Sequence, residues 1–184
     1  ITGANGSGKS VYLRQIGLIV YMAHIGCFVP CEQADIGIVD RIMTRIQSQD
    51  SVNTEQSSFS YDLQQINNML QNYTRKSLLL LDEFGKGTLA LDGISLMGAV
   101  LNYFVREERQ NDCPRMFVTT HYTELFEYGI VPVENILLQM MKTQVAFGTS
   151  DDLETKETNT PDKPIVYLYK LVPCTTPDSS HGIA

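Results

Sequence analysis

The stretch Gly3-Ala4-Asn5-Gly6-Ser7-Gly8-Lys9-Ser10 restricts what this chain can fold into more than any other part of it. It fits G-x-x-x-x-G-K-[ST], the spacing of a loop that cradles phosphate groups. The three glycines let the backbone turn tightly and carry its N–H groups up to an anion. Lys9 is placed to reach the β- and γ-phosphates of a nucleoside triphosphate, and Ser10 to hold Mg²⁺ through its hydroxyl. Such a loop needs a strand before it and a helix after it, whose positive end faces the phosphates. A chance match in a chain of this length has a probability on the order of one in a hundred.

The chain has 184 residues, enough for one core-bearing domain, and 43% of them are hydrophobic, as in an ordinary globular fold. It opens on Ile1 inside the loop motif and stops at Gly182-Ile183-Ala184 without a closing signal. We read residues 1–184 as one domain of a longer protein, cut at both ends. A net charge of −7 argues against this piece carrying the main nucleic-acid surface, which needs clustered Lys and Arg. Cys27, Cys31, Cys113 and Cys174 are scattered and form no disulfide framework. His24, Cys27 and Cys31 lie close together, but no C-x-x-C pair or partner cluster completes four metal ligands. The expectation is reduced, mostly buried thiols in an intracellular protein. No apolar run approaches the ~18 residues of a membrane span.

Leu13, Ile16, Val20 and Ala23 recur at helical spacing, predicting a helix from residue 9 to about 25. Residues 40–46 alternate imperfectly and read as a strand, and residues 47–56 as a polar loop. A second helix runs from 58 to about 73, with Phe59, Leu63, Ile66 and Leu70 on its apolar side. Leu78-Leu79-Leu80-Leu81 suits a central parallel strand covered on both faces. A third helix spans about 92–109, and a strand covers 116–120. A short helical turn follows at 124–128. Residues 136–147 and 165–172 form an antiparallel hairpin around a solvated loop at 150–164. The fold class is therefore α/β, a mainly parallel sheet flanked by helices, with an antiparallel hairpin near the C-terminus.

Hydrolysis requires more than a phosphate loop. Asp82 and Glu83 end the tetraleucine strand, on the side where parallel sheets bind ligands. Asp82 can face the Mg²⁺ held by Ser10, and Glu83 can orient or deprotonate the attacking water. An acidic pair alone can also cap a strand, but its pairing with the loop at residues 3–10 favours chemistry. His121 ends the next apolar strand, so it falls on the same edge and can contact the γ-phosphate. His24 and His181 have no such context and read as structural.

With these elements placed, the motifs resemble the MutS family, DNA mismatch-repair ATPases within the ABC-type P-loop NTPase superfamily. Thr2-Gly3-Ala4-Asn5-Gly6-Ser7-Gly8-Lys9-Ser10 is similar to the family's TGPNxxGKS, with Ala4 where proline is usual. Gly26-Cys27-Phe28-Val29-Pro30 and Asp40-Arg41-Ile42-Met43-Thr44-Arg45-Ile46 resemble GxFVPA and DxIFTRI. Asp82-Glu83-Phe84-Gly85-Lys86-Gly87-Thr88 with Asp92-Gly93, Thr119-Thr120-His121-Tyr122, and Ser180-His181-Gly182-Ile183 follow in the family's order. The resemblance implies an ATP- and Mg²⁺-dependent ATPase coupled to DNA bound by other domains. It also places Ser57 and Ser58 in a segment that reaches across a dimer to the partner's nucleotide. There Ser60, Tyr61 and Asp62 depart from the usual STFMxEM.

Phe84, Lys86, Asp62-Leu63 and Cys113-Pro114 are closest to the family's fifth eukaryotic class, which is meiotic. That class implies a heterodimer with another MutS homologue, a nuclear and chromosomal location, and action on recombination intermediates during crossover formation. Two alternatives stay open: the ATPase domain of a mismatch-recognition homologue, and a non-hydrolysing ATP-dependent dimerisation module. An ABC transporter or chromosome-maintenance ATPase would need an LSGGQ-like signature before the acidic strand, and a GTPase an N/TKxD; neither is present.

Overall fold

A computed structural model describes residues 1–46, 58–86, 88–105, 112–134, 136–145 and 165–174. The expected loops at 47–56 and 150–164, the end of the third helix at 106–109, and Ser57, Gly87 and residues 180–184 lie outside them. In chain order the elements are α1 (Lys9–His24), β1 (Ile42–Arg45), α2 (Ser58–Asn72), β2 (Leu78–Asp82), α3 (Ala90–Val105), β3 (Arg115–Thr119), α4 (Glu124–Glu127), β4 (Gln139–Val145) and β5 (Ile165–Pro173).

Strands β1, β2 and β3 form a parallel sheet in that order. The tetraleucine strand lies at its centre, and its alternate side chains serve two cores. Leu79 and Leu81 pack with Ile66 and Met69 of α2, with Met97, Val100, Leu101 and Phe104 of α3, and with Leu125 of α4. Leu78 and Leu80 pack against Leu13 of α1 on the opposite face. Chain handedness explains the division. The crossovers β1–α2–β2 and β2–α3–β3 step the same way across the sheet, so their right-handedness places α2 and α3 on one face. The run from Ile1 to β1 steps the other way, which places α1 on the other.

Ile1 is held against β3: its nitrogen donates to the Val118 carbonyl (2.6 Å), and the Thr120 amide donates to the Ile1 carbonyl (3.0 Å). Thr2 pairs on its far side with β4, through its amide to the Gln139 carbonyl (2.9 Å) and the Met141 amide to its own carbonyl (2.8 Å). The glycine-rich loop therefore springs from residues tied on both sides. The hairpin β4–β5 is antiparallel, as its spacing predicts.

Three expectations need correction. The buried face of α2 is Ile66 and Met69, while Leu63 is 37% exposed. On that side Asp62 pairs with Arg45, and Ile66 and Met69 follow it inward one turn and two turns later. Strand β4 starts at Gln139 rather than 136, because the Ile136 amide closes a turn onto the Val133 carbonyl (3.0 Å). The cysteines are not mostly buried: Cys27 and Cys31 are exposed, and Cys113 and Cys174 are half-buried. No helix among the described residues is long and apolar enough to cross a membrane.

Candidate functional site

Positive φ angles at Gly3 (141°), Gly6 (78°) and Gly8 (94°) bend the loop into the N-terminus of α1. Gly8 caps that helix, so no N-cap side chain competes for the first N–H groups of α1. Asn5 and Gly6 are exposed at the tip, and Ala4 is half-buried. Ser7 is buried, and its hydroxyl has no hydrogen-bond partner among the described residues. A buried orphan hydroxyl under a bed of amides suits a site that receives a polyoxyanion.

Lys9 is 4% exposed. Its ammonium donates to the Gly3 and Ala4 carbonyls at 2.8 and 3.0 Å and lies 3.3 Å from a Glu83 carboxylate oxygen. The Ser10 hydroxyl donates to Asp82 Oδ1 at 2.9 Å. The parallel register sets Asp82 beside Thr119, whose hydroxyl donates to the same oxygen at 2.6 Å. A hydroxyl and a carboxylate so joined are hard oxygen donors suited to Mg²⁺.

Glu83 is a non-glycine residue at φ 45°, a conformation held only where neighbours over-determine it. Its amide donates to both the carbonyl and the hydroxyl of Thr119, each at 3.1 Å. Its carboxylate is bracketed by Lys9 and by Lys86, the latter at 2.7 Å. Burial alone would raise the Glu83 carboxyl, but the hydrogen bond from Lys86 and the charges of Lys9 and Lys86 outweigh it and hold the group below the ordinary carboxylate range.

His121 is half-buried one residue beyond Thr120, with its ring 4.2 Å from that of Tyr122. Burial lowers its pKa, the charge of Glu83 opposes that shift, and Lys86 and Lys9 add to it. The imidazole is thus within electrostatic reach of Glu83, Lys86 and Lys9, and Nδ1 has no hydrogen-bond partner among the described residues. Behind it, the Tyr122 hydroxyl donates to the Gly85 carbonyl at 3.0 Å. Gly93 must be glycine here: a Cβ would lie 2.2 Å from that hydroxyl and 2.6 Å from that carbonyl oxygen.

The structure brings residues 3–10, Asp82, Glu83 and His121 to one edge of the sheet. Ser58 opens α2, and Ser57 lies outside the described residues. Sequence reasoning gave no role to Thr119, Lys86, Arg45 or Tyr169. Thr119 could have been suspected as the residue in register with an acidic strand end. Tyr169 leaves no sequence signal: it sits at φ 51°, 68% exposed, with its ring 2.9 Å from where a Gly8 Cβ would be.

The family model of MutS domain V matches residues 1–184. The chain belongs to the MutS family. It is 54% identical over 136 residues to MutS protein homolog 5 of Saccharomyces cerevisiae, covering 74% of this chain and 15% of that protein. To MutS protein homolog 5 of Caenorhabditis elegans it is 44% identical over 134 residues, 73% of this chain and 10% of that one. To the DNA mismatch repair protein MutS of Caldicellulosiruptor bescii it is 46% identical over 185 residues, all of this chain and 19% of that one. The chain thus spans less than a fifth of the length of each. Two of these relatives carry the name of the fifth homologue, in agreement with the resemblance drawn from Phe84, Lys86, Asp62-Leu63 and Cys113-Pro114.

Proposed function

We propose that this chain is the ATP-binding and ATP-hydrolysing domain of a MutS-family clamp on DNA, acting on recombination intermediates in meiotic crossover formation. The meeting of Lys9, Ser10, Asp82 and Glu83 at the end of β2 carries the reading. Residues 3–10 and the first amides of α1 receive the triphosphate of ATP. Lys9 then exchanges the carbonyls of Gly3 and Ala4, and Glu83, for the β- and γ-phosphates. Ser10 and Asp82 would hold Mg²⁺, which would neutralise charge developing on the phosphate oxygens.

Release of Lys9 frees one side of the Glu83 carboxylate. Glu83, ionised at neutral pH, orients the attacking water and takes up its proton. His121, kept neutral by burial, donates its ring N–H to the γ-phosphate and registers its loss. Tyr169 offers an aromatic face beside Gly8 on which adenine stacks. Ser57 and Ser58 of a second MutS homologue complete the site across a heterodimer. DNA is held by parts of the protein outside this chain, in the nucleus, on the chromosome.

A second reading, the ATPase domain of a mismatch-recognition homologue, is favoured by the similarity to the bacterial mismatch repair protein along the whole chain. ATP hydrolysis by the full-length heterodimer separates them. Stimulation by a four-way DNA junction and not by a mismatched duplex supports the meiotic role, and the reverse supports repair. Equal ATP affinity of wild type and Lys9→Ala would remove the nucleotide site itself.

A further inference from the structure

Arg45 is a charged residue at the end of β1 that is only 3% exposed. Its guanidinium does two things at once. One nitrogen donates to the Asp82 carbonyl at 2.7 Å, and another forms an ion pair with Asp62 of α2. The third, Nε, has no hydrogen-bond partner among the described residues. Burying such a group is costly, and well-packed apolar residues would stabilise the same space as well or better. Stability alone is therefore a poor account of it.

The carbonyl it grips is significant. The peptide joining Asp82 to Glu83 has its oxygen held by Arg45 and its N–H held by Thr119. That peptide precedes the one described acidic residue with a left-handed backbone. Rotating it would swing the Glu83 carboxylate away from Lys9. The other end of the guanidinium rests on α2, the helix that Ser58 opens. A shift of α2 must either strip a buried cation of its counter-charge or carry the guanidinium with it.

We propose that Arg45 is a positioning residue that couples the placement of α2 to the aim of Glu83, with Asp62 as its anchor on the helix. The inference rests on the reading of Glu83 as the residue that orients water. Through this link, a displacement of α2 resets the water-orienting carboxylate of the same subunit. A planar fork is required, because one ammonium cannot hold two acceptors in fixed relative directions.

The test uses the full-length protein with its dimer partner, as wild type, Arg45→Lys, Asp62→Asn, the double variant and Glu83→Gln. Three quantities are read: the single-turnover rate of ATP hydrolysis, the affinity for a fluorescent ATP analogue, and hydrogen exchange of peptides spanning β2 and Glu83. Each single variant should hydrolyse roughly ten- to a hundredfold more slowly, the scale of a misaimed group. Nucleotide affinity should stay within about twofold, and exchange should rise at Glu83 but not at Leu79–Leu81, an outcome a purely structural role does not give. The double variant should be no slower than the worse single one.

Wild-type hydrolysis by both Arg45→Lys and Asp62→Asn, alongside a slow Glu83→Gln, overturns the inference and leaves the Glu83 reading standing. Parallel loss of affinity, rate and protection throughout β2 also overturns it, in favour of a merely structural pair. Undiminished hydrolysis by Glu83→Gln overturns both.

Discussion

Thr119→Val replaces a fully buried hydroxyl with a methyl of similar size, so its effect can be worked from hydrogen bonds alone. The hydroxyl donates to Asp82 at 2.6 Å and accepts from the Glu83 amide at 3.1 Å. A hydrogen bond to a carboxylate contributes about 1.5–3 kcal/mol. The second loss is small, because the Glu83 amide keeps the Thr119 carbonyl at 3.1 Å. Asp82 also keeps the Ser10 hydroxyl at 2.9 Å, so it is not left without a donor. The expected cost is about 2–3 kcal/mol, which at about 2–4 °C per kcal/mol for a chain of this size lowers Tm by about 4–12 °C. Thermal unfolding without nucleotide reads it. Thr119→Ser keeps the hydroxyl and loses a methyl, for about 1 kcal/mol. A Thr119→Val protein melting within about 1 °C of wild type, or above Thr119→Ser, would refute the assignment of this hydroxyl as the strut of the acidic turn.

Glu83 and Lys86 give a pH signature. A carboxyl held below its ordinary value stabilises the fold above the unfolded pKa, and that contribution is lost as pH falls through the lower folded value. Lys86→Met should therefore lower stability near neutral pH, by no more than about 1 kcal/mol for so exposed a lysine, with the difference vanishing in acid; denaturant unfolding across pH 3–7 would show it. His121 should titrate below the ordinary histidine range, followed by its ring proton shifts in NMR, and stability should fall as pH drops from the unfolded value toward the folded one. A midpoint above that range would contradict the role of burial. Tyr169→Ala should weaken ATP binding by about 1–3 kcal/mol, roughly five- to 150-fold, by calorimetry while leaving inorganic triphosphate binding unchanged.

The sheet was legible because four successive leucines admit one economical reading. Both faces must be covered, and the structure divides Leu79 and Leu81 from Leu78 and Leu80 accordingly. The bend of residues 3–10 into α1 was legible because fixed spacing stands in for local backbone shape. Asp82 and His121 were placed by a rule about strand ends. What stayed hidden is long-range. Nothing local in the sequence says that Asp62 pairs with Arg45 on the inward side of α2, so Leu63 rather than Met69 looks buried. Thr119 becomes a strut through parallel register alone, and Tyr169 meets Gly8 across most of the chain. Periodicity reports which residues are apolar, and long-range packing decides which of them are covered.

The claim on which the rest depends is that residues 3–10, Asp82 and Glu83 make one hydrolytic site. Single-turnover hydrolysis of ATP by the full-length dimer, wild type against Glu83→Gln, tests it most directly. Both should bind ATP with similar affinity and only wild type should convert it to ADP, the variant retaining intact ATP over many wild-type half-lives. Equal conversion by the two would contradict the account, and no conversion by either would leave a module that binds ATP to close a dimer without consuming it.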